Sequence, residues 1–177
     1  MRNIYTVKHP VVGRVRWRME QAPAGSIEML DGFVERNIVE VFVPQLKGVR
    51  HGLLNNPKDI YDGQIRFFKD AGGQLVHAFD EIQKQGLQGH IISFHGSFNA
   101  RLIKRDYGGY LNIPSNHAFG TAFDINADFN PHGRPSAPIG TMGSVHELVP
   151  IFERYGFKWG GNFSIPDGMH FEIAELI

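Results

Sequence analysis

The sequence predicts an α+β protein built on a small antiparallel sheet with flanking helices. Strand-like and helix-like runs alternate only loosely along the 177 residues. The evenly spaced βαβ units and Gly-rich phosphate loops of a doubly wound fold are missing. The length suits one domain that buries a real core.

The first sixty residues are the hardest to read; they form either an N-terminal extension or part of the same domain, with the readable core spanning 61–177. Val11 to Met19 (V-V-G-R-V-R-W-R-M) nearly alternates apolar and basic residues, which predicts an exposed or edge strand. Ile38 to Val43 predicts a strand that stops at Pro44, and L-L-N-N-P-K-D from Leu53 predicts a loop. Asp70 to Gln85 predicts a helix, with Leu75, Val76, Phe79 and Ile82 on one face and Gly86 as its stop. G-H-I-I-S-F-H-G follows as a buried strand, and Tyr107 to Asn116 as a loop marked by Gly108, Gly109 and Pro114. Thr121 to Asn126 predicts a strand, and Asn130 to Gly143 a long polar loop with three prolines and three glycines. Ser144 then predicts an N-cap with Glu147 as its capping-box partner. The helix it opens carries Val145, Leu148, Val149, Phe152 and Tyr155 on its apolar side and ends at Gly156. Phe157 to Trp159 and Met169 to Ile173 predict the last two strands.

Bulk properties exclude several classes. Lys plus Arg equals Asp plus Glu at 18 each, so no broad basic surface is available for nucleic acid. The chain has no cysteine, which removes disulfides, thiolate metal sites and cysteine nucleophiles together. No apolar run approaches the roughly 20 residues of a membrane-spanning helix, so membrane insertion is not expected. The start, M-R-N-I-Y-T-V-K-H-P, lacks the hydrophobic core of a signal peptide. The expectation is a protein made in the cytoplasm.

Two segments carry chemistry. In S-N-H-A-F-G-T-A-F-D-I-N, from Ser115, strand periodicity puts Ala122, Asp124 and Asn126 on one face and Thr121, Phe123 and Ile125 on the other. Gly120 lets the backbone bend between His117 and this strand. In P-D-G-M-H-F-E-I, from Pro166, His170 and Glu172 point one way and Phe171 and Ile173 the other. A buried carboxylate is costly unless it is paired or binds a metal. Two histidines and one carboxylate with a fourth position open form a recurrent catalytic zinc set, here His117, Asp124 and His170. Asp167, three residues before His170 across a turn containing Gly168, is placed to move a proton. Each histidine taken alone fits a surface or hydrogen-bonded core role better than ligation, and Asp124 alone fits a strand-end cap. D-I-N-A-D-F-N also alternates oxygen ligands like a calcium loop, but its sixth position is Phe129 where glycine is required, and no Glu stands at the twelfth.

The first segment resembles the S-x-H-x-x-G-x-A-x-D signature of the zinc metallopeptidases that include D-Ala-D-Ala carboxypeptidases and phage L-Ala-D-Glu endopeptidases. D-G-M-H-F-E resembles their second signature, and G-F-K-W-G-G their approach to the last strand. The resemblance covers roughly Gln74 to Ile173. It implies a hedgehog/D-Ala-D-Ala-peptidase-like fold and ligation of Zn2+ by His117, Asp124 and His170. It also implies Asp167 as general base, where many relatives carry glutamate. An arginine upstream of the first signature stabilises the oxyanion in this family; Arg101 stands at that place, with Arg105 as competitor. The resemblance implies peptidoglycan stem peptides as substrate and action at the cell wall, by phage-type lysis or as an injected effector. Ser115 is expected to orient the ligands. Trp159 fits a pocket wall or the core, and His95 and His132 are candidates for contacting substrate. A non-catalytic, zinc-containing binding domain of hedgehog type is the alternative; it has no need of both Asp167 and Arg101. The bond cleaved and the oligomeric state have no signature in these residues.

Overall fold

The computed structural model describes residues 3–52, 59–105 and 108–177. The fold is mixed α and β, with small sheets whose ladders are all antiparallel and few helices. β1 (Ile4–His9), β2 (Gly13–Met19) and β3 (Ile27–Met29) form one sheet in that order. The short helix α1 (Phe33–Asn37) leads into β4 (Ile38–Phe42), which pairs with β5 (Gln64–Phe68). Helix α2 (Gly72–Lys84) follows, then the hairpin of β6 (Leu102–Lys104) and β7 (Tyr110–Pro114). β8 (Ala122–Asp124), helix α3 (Val149–Arg154), β9 (Phe157–Trp159) and β10 (His170–Ile173) complete the chain. β10 lies between β8 and β9.

The main core has Phe123 at its centre. Its ring meets those of Phe94, Phe152, Phe157 and Phe171, and all five are nearly or wholly buried. Leu75, Phe79 and Ile82 of α2 close one side of it, as their helical spacing predicts. A second cluster joins Val15 and Trp17 of β2 to Ile27, Phe33, Ile38 and Phe119. The first sheet is thus packed on the turn that follows Ser115.

Four expectations change. β2 is the central strand of its sheet, not an edge: Val15 and Trp17 are buried while Arg14 and Arg16 face solvent. In the segment 89–96 only Ile91, Ser93 and Phe94 are buried, and Ser93 and Phe94 form isolated bridges instead of a strand. Its backbone is served by a side chain, since the N–H groups of Ile92 and Ser93 both donate to Asn126 Oδ1. Tyr110 to Pro114 is a strand; Gly108 and Gly109, with φ of 89° and 77°, belong to its hairpin turn. The last helix begins at Val149, not after Ser144. Pro150 lacks an N–H and fits only the first helical turn. Ser144 Oγ still donates to Glu147 Oε2 at 2.6 Å, so the capping pair forms one turn ahead of the helix. Of the expected loops, 53–58 in the first and Tyr107 in the second lie outside the described residues.

Candidate metal centre

β8 and β10 build the centre by register. His170 is the direct cross-strand partner of Asp124, and Phe171 that of Phe123. Alternation sends Phe123 and Phe171 into the core and leaves Asp124 and His170 on the opposite face. His117 arrives from a 3-10 turn at Asn116–Phe119, capped by Ser115, whose Oγ accepts the His117 N–H at 3.4 Å. Gly120 ends that turn at φ 66°, and a Cβ there would meet Ile38 Cδ1 at 2.7 Å and Phe68 N at 3.0 Å. Only glycine permits both the left-handed backbone and this close approach to β5.

One donor atom from each of His117, Asp124 and His170 lies within 4.8 Å of the others. Asp124 Oδ1 is 3.2 Å from His117 Nε2 and 3.1 Å from His170 Nδ1. Tetrahedral zinc at about 2.0–2.2 Å from each donor spaces them roughly 3.3–3.6 Å apart, so the set is close to that shape. Both remaining ring nitrogens are tied down. His117 Nδ1–H donates to Ser97 O at 2.7 Å, and His170 Nε2–H to Glu172 Oε2 at 2.9 Å. That is the pattern by which ligating imidazoles are oriented. It leaves the His117 Nε2 lone pair facing the carboxylate. The 3.2 Å approach lacks hydrogen-bond geometry, and Nε2 is a buried atom without a hydrogen bond among the described residues. A lone pair aimed at an anion in a buried place is unfavourable unless a cation lies between them. The residues therefore fit a divalent metal of zinc type.

The electrostatics follow from this crowding. Burial would raise the Asp124 carboxyl, but the positive charges of His117 and His170, when these rings carry a proton where a metal would otherwise lie, outweigh it and hold it well below the usual carboxylate range. Burial would lower His170, but hydrogen bonds to Asp124 and Glu172 push it up to about 10. Glu172 is held at about 2: burial opposes ionisation, and the bonds from His170 and Lys158 overcome it. Burial, reinforced by Asp124 and opposed first by His170, raises the Asp167 carboxyl.

A cavity of about 900 Å³ opens over the three residues, and Asp167, Arg101, Arg105 and His132 also line it. Asp167 Oδ1 is buried without a hydrogen bond among the described residues. The turn carrying it is braced by Trp159, whose indole N–H donates to Gly168 O at 2.8 Å. Trp159 is thus a brace in the core; the cavity lining does not include it. Gly160 makes room for the turn, since a Cβ there would stand 2.6 Å from Asp167 O. Arg101 is half-buried, and its carbonyl accepts the Ser115 N–H at 2.9 Å, which ties it to the ligand turn. Arg105 is exposed. His95 is not brought to the cavity; its Nε2 lies 3.1 Å from Ser93 Oγ and 3.2 Å from Asp128 Oδ2. Glu172, bonded to His170, was not named as a site residue from sequence. Its two-residue spacing from His170 places it on the same strand face, and that was its signal.

Neither curated proteins nor solved structures give a match to the chain. Residues 111–173, about a third of the chain, match the family model described as D-alanyl-D-alanine carboxypeptidase. The matched span holds His117, Asp124, Asp167 and His170, starts later than the Gln74 expected from the motifs, and leaves Arg101 outside. Over that span the chain resembles the D-alanyl-D-alanine carboxypeptidase family of zinc peptidases.

Proposed function

We propose that the protein is a zinc-dependent peptidase that hydrolyses a peptide bond in peptidoglycan stem peptides, as an L-Ala-D-Glu endopeptidase or a D-Ala-D-Ala carboxypeptidase. The observation that carries this reading is the convergence of His117, Asp124 and His170 beside Asp167 in one open cavity. We read the fold as of the hedgehog/D-Ala-D-Ala-peptidase type, with residues 1–60 in the same folding unit, because Trp17 and Phe119 share one cluster.

His117 Nε2, Asp124 Oδ1 and His170 Nδ1 would hold the zinc. When bound, zinc supplies Lewis acidity, which brings the pKa of a water ligand to about 7. Asp167 is the base. Its carboxylate takes a proton from the attacking water and returns it to the amine that leaves. A carboxyl raised by burial holds that proton more readily than an ordinary one. Arg101 reaches the same cavity and carries a permanent positive charge for the carbonyl oxygen as it becomes an oxyanion. The cavity mouth suits an anionic peptide: Lys104, Arg105 and Arg134 line it, all exposed and with no ion pair among the described residues. Stem peptides carry free carboxylates. A hedgehog-type binding domain would leave Asp167 and Arg101 without a task.

The test is digestion of purified peptidoglycan by zinc-loaded protein, followed by mass spectrometry of the muropeptides. Shortened stem peptides are expected, and the fragment masses name the bond. Intact muropeptides after digestion with fully loaded protein would refute the reading.

A further inference from the structure

A chain of hydrogen bonds runs from the first sheet to the candidate centre. It starts at two backbone groups. The N–H groups of Val11 and Val12 both donate to His9 Nδ1, each at 3.2 Å. An imidazole nitrogen that accepts carries no proton, so the proton of neutral His9 sits on Nε2. Nε2–H points at Asn116 Oδ1, 3.1 Å away. With its oxygen thus engaged, Asn116 turns its amide nitrogen to Glu172 and donates to Oε2. The same Oε2 accepts from His170 Nε2 at 2.9 Å, and Lys158 Nζ holds Oε1 at 2.7 Å. Every bond in the series has one direction consistent with the next.

The histidine rings and the carboxylate of the series are buried, while Asn116 is half-buried at the cavity wall. His9, His170 and Glu172 are 6%, 7% and 7% exposed. The His9 ring lies 4.5 Å from that of Phe119, which fixes its plane, and Thr121 Oγ1 stands 3.4 Å from its Nε2. Burial also lowers the His9 pKa, in keeping with a neutral ring. An apolar ring would pack on Phe119 as well, but it would leave the Val11 and Val12 N–H groups without the acceptor that Nδ1 supplies. Beyond that acceptor, a histidine adds a donor at the far end of the ring.

We infer that His9 and Asn116 are positioning residues for the metal centre, which fix the Glu172 carboxylate so that His170 keeps its proton on Nε2 and offers Nδ1 to the metal. This deepens the zinc reading and rests on it. It also gives the first strand, outside the 111–173 match, a part in a centre made of residues within it. Val11 and Val12 set the direction at one end, and the consequence appears across 107 positions of sequence between His9 and Asn116.

The test has two parts. In the first, zinc affinity is measured by chelator competition for wild type, His9→Phe, His9→Gln and Asn116→Leu, each checked by circular dichroism. His9→Phe keeps the ring packing and removes both the Nδ1 acceptor of Val11 and Val12 and the Nε2 donor; His9→Gln also lacks the Nδ1 acceptor but keeps a donor at the ε position, so the pair isolates the donor. Losing an outer-shell partner weakens metal affinity about 10–100-fold. That loss is expected for His9→Phe and Asn116→Leu, with His9→Gln close to wild type. Wild-type affinity in folded His9→Phe and Asn116→Leu would overturn the inference. The second part needs no variant and no zinc: 15N NMR of the wild-type histidine rings. His9 is expected as the Nε2–H tautomer, with the His170 Nε2–H protected from exchange. His9 found with its proton on Nδ1 would overturn the inference even if the variants did not fold. Failure of the wild type to bind zinc would remove the peptidase reading, and the NMR result would then decide the hydrogen-bond chain separately.

Discussion

Asp124 interrupts an apolar strand, and its surroundings explain the interruption. Its side chain is 14% exposed and meets two imidazoles through one oxygen. Asp124→Ala is expected to drop the zinc content far below one per chain, read by elemental analysis after gentle purification; full zinc in this variant would show that the carboxylate is no ligand. Arg101→Ala should lower kcat by about 10²–10³, the usual loss of one oxyanion donor, with the stated effect read by steady-state assay on a stem peptide. Little change in kcat would pass the role to Arg105. At this scale the sequence was most legible. His117, Asp124, Asp167 and His170 lie in or beside the turns and strands that position them, so strand alternation marked the faces of Asp124 and His170 and the glycine turns marked His117 and Asp167, while their roles came from the resemblance. Asn116 and His9 were not legible. Their link spans the first sheet and the ligand turn, and no local pattern marks a histidine that acts through an amide.

The elements show where periodicity misleads. Alternation in β2 reports one buried face, and both edge and central strands can have one; only pairing with β1 and β3 decides. In β1 the period-two pattern was available: Tyr5 and Val7 lie opposite Trp17 and Val15. Helix α3 was placed too early because its apolar spacing extends back to Val145; the Leu148 and Val149 N–H groups do donate to Val145 O, but Pro150 has no N–H to continue that turn, and the helix proper starts at Val149. The turn at Gly120 was read correctly, for a φ of 66° needs glycine. Gly120→Ala should destabilise by more than about 1 kcal/mol, since the new methyl meets both an unfavourable φ and β5. Urea denaturation measures this; an unchanged midpoint would mean that β5 moves freely.

Across the whole molecule, the core and the centre share two strands. Phe123 and Phe171 fill the core while Asp124 and His170, their neighbours in β8 and β10, face the cavity. Phe123→Ala should cost about 3–5 kcal/mol by chemical denaturation, the range for a buried phenylalanine. The centre also makes stability depend on pH. His170 has a folded pKa of about 10, raised from 6.5, so its stabilisation is complete below pH 6.5 and fades as pH rises through about 10. Metal-free protein should therefore melt at lower temperature as pH climbs from 6.5 to 10. A zinc ion held at Nδ1 would take the place of that proton, so saturating zinc should flatten the slope. Equal slopes with and without zinc would speak against His170 as a ligand. No helix among the described residues is long and apolar enough to cross a membrane.

The proposed activity has the cavity at His117, Asp124 and His170 break a peptide bond with Asp167 as base. Its most direct test is the rate at which zinc-loaded Asp167→Ala releases fragments from purified peptidoglycan, beside wild type with the same zinc content. Removing a general base costs about 10²–10⁴-fold, so the variant should bind zinc fully and cleave at least about a hundredfold more slowly. Cleavage at the wild-type rate with full zinc would contradict the account.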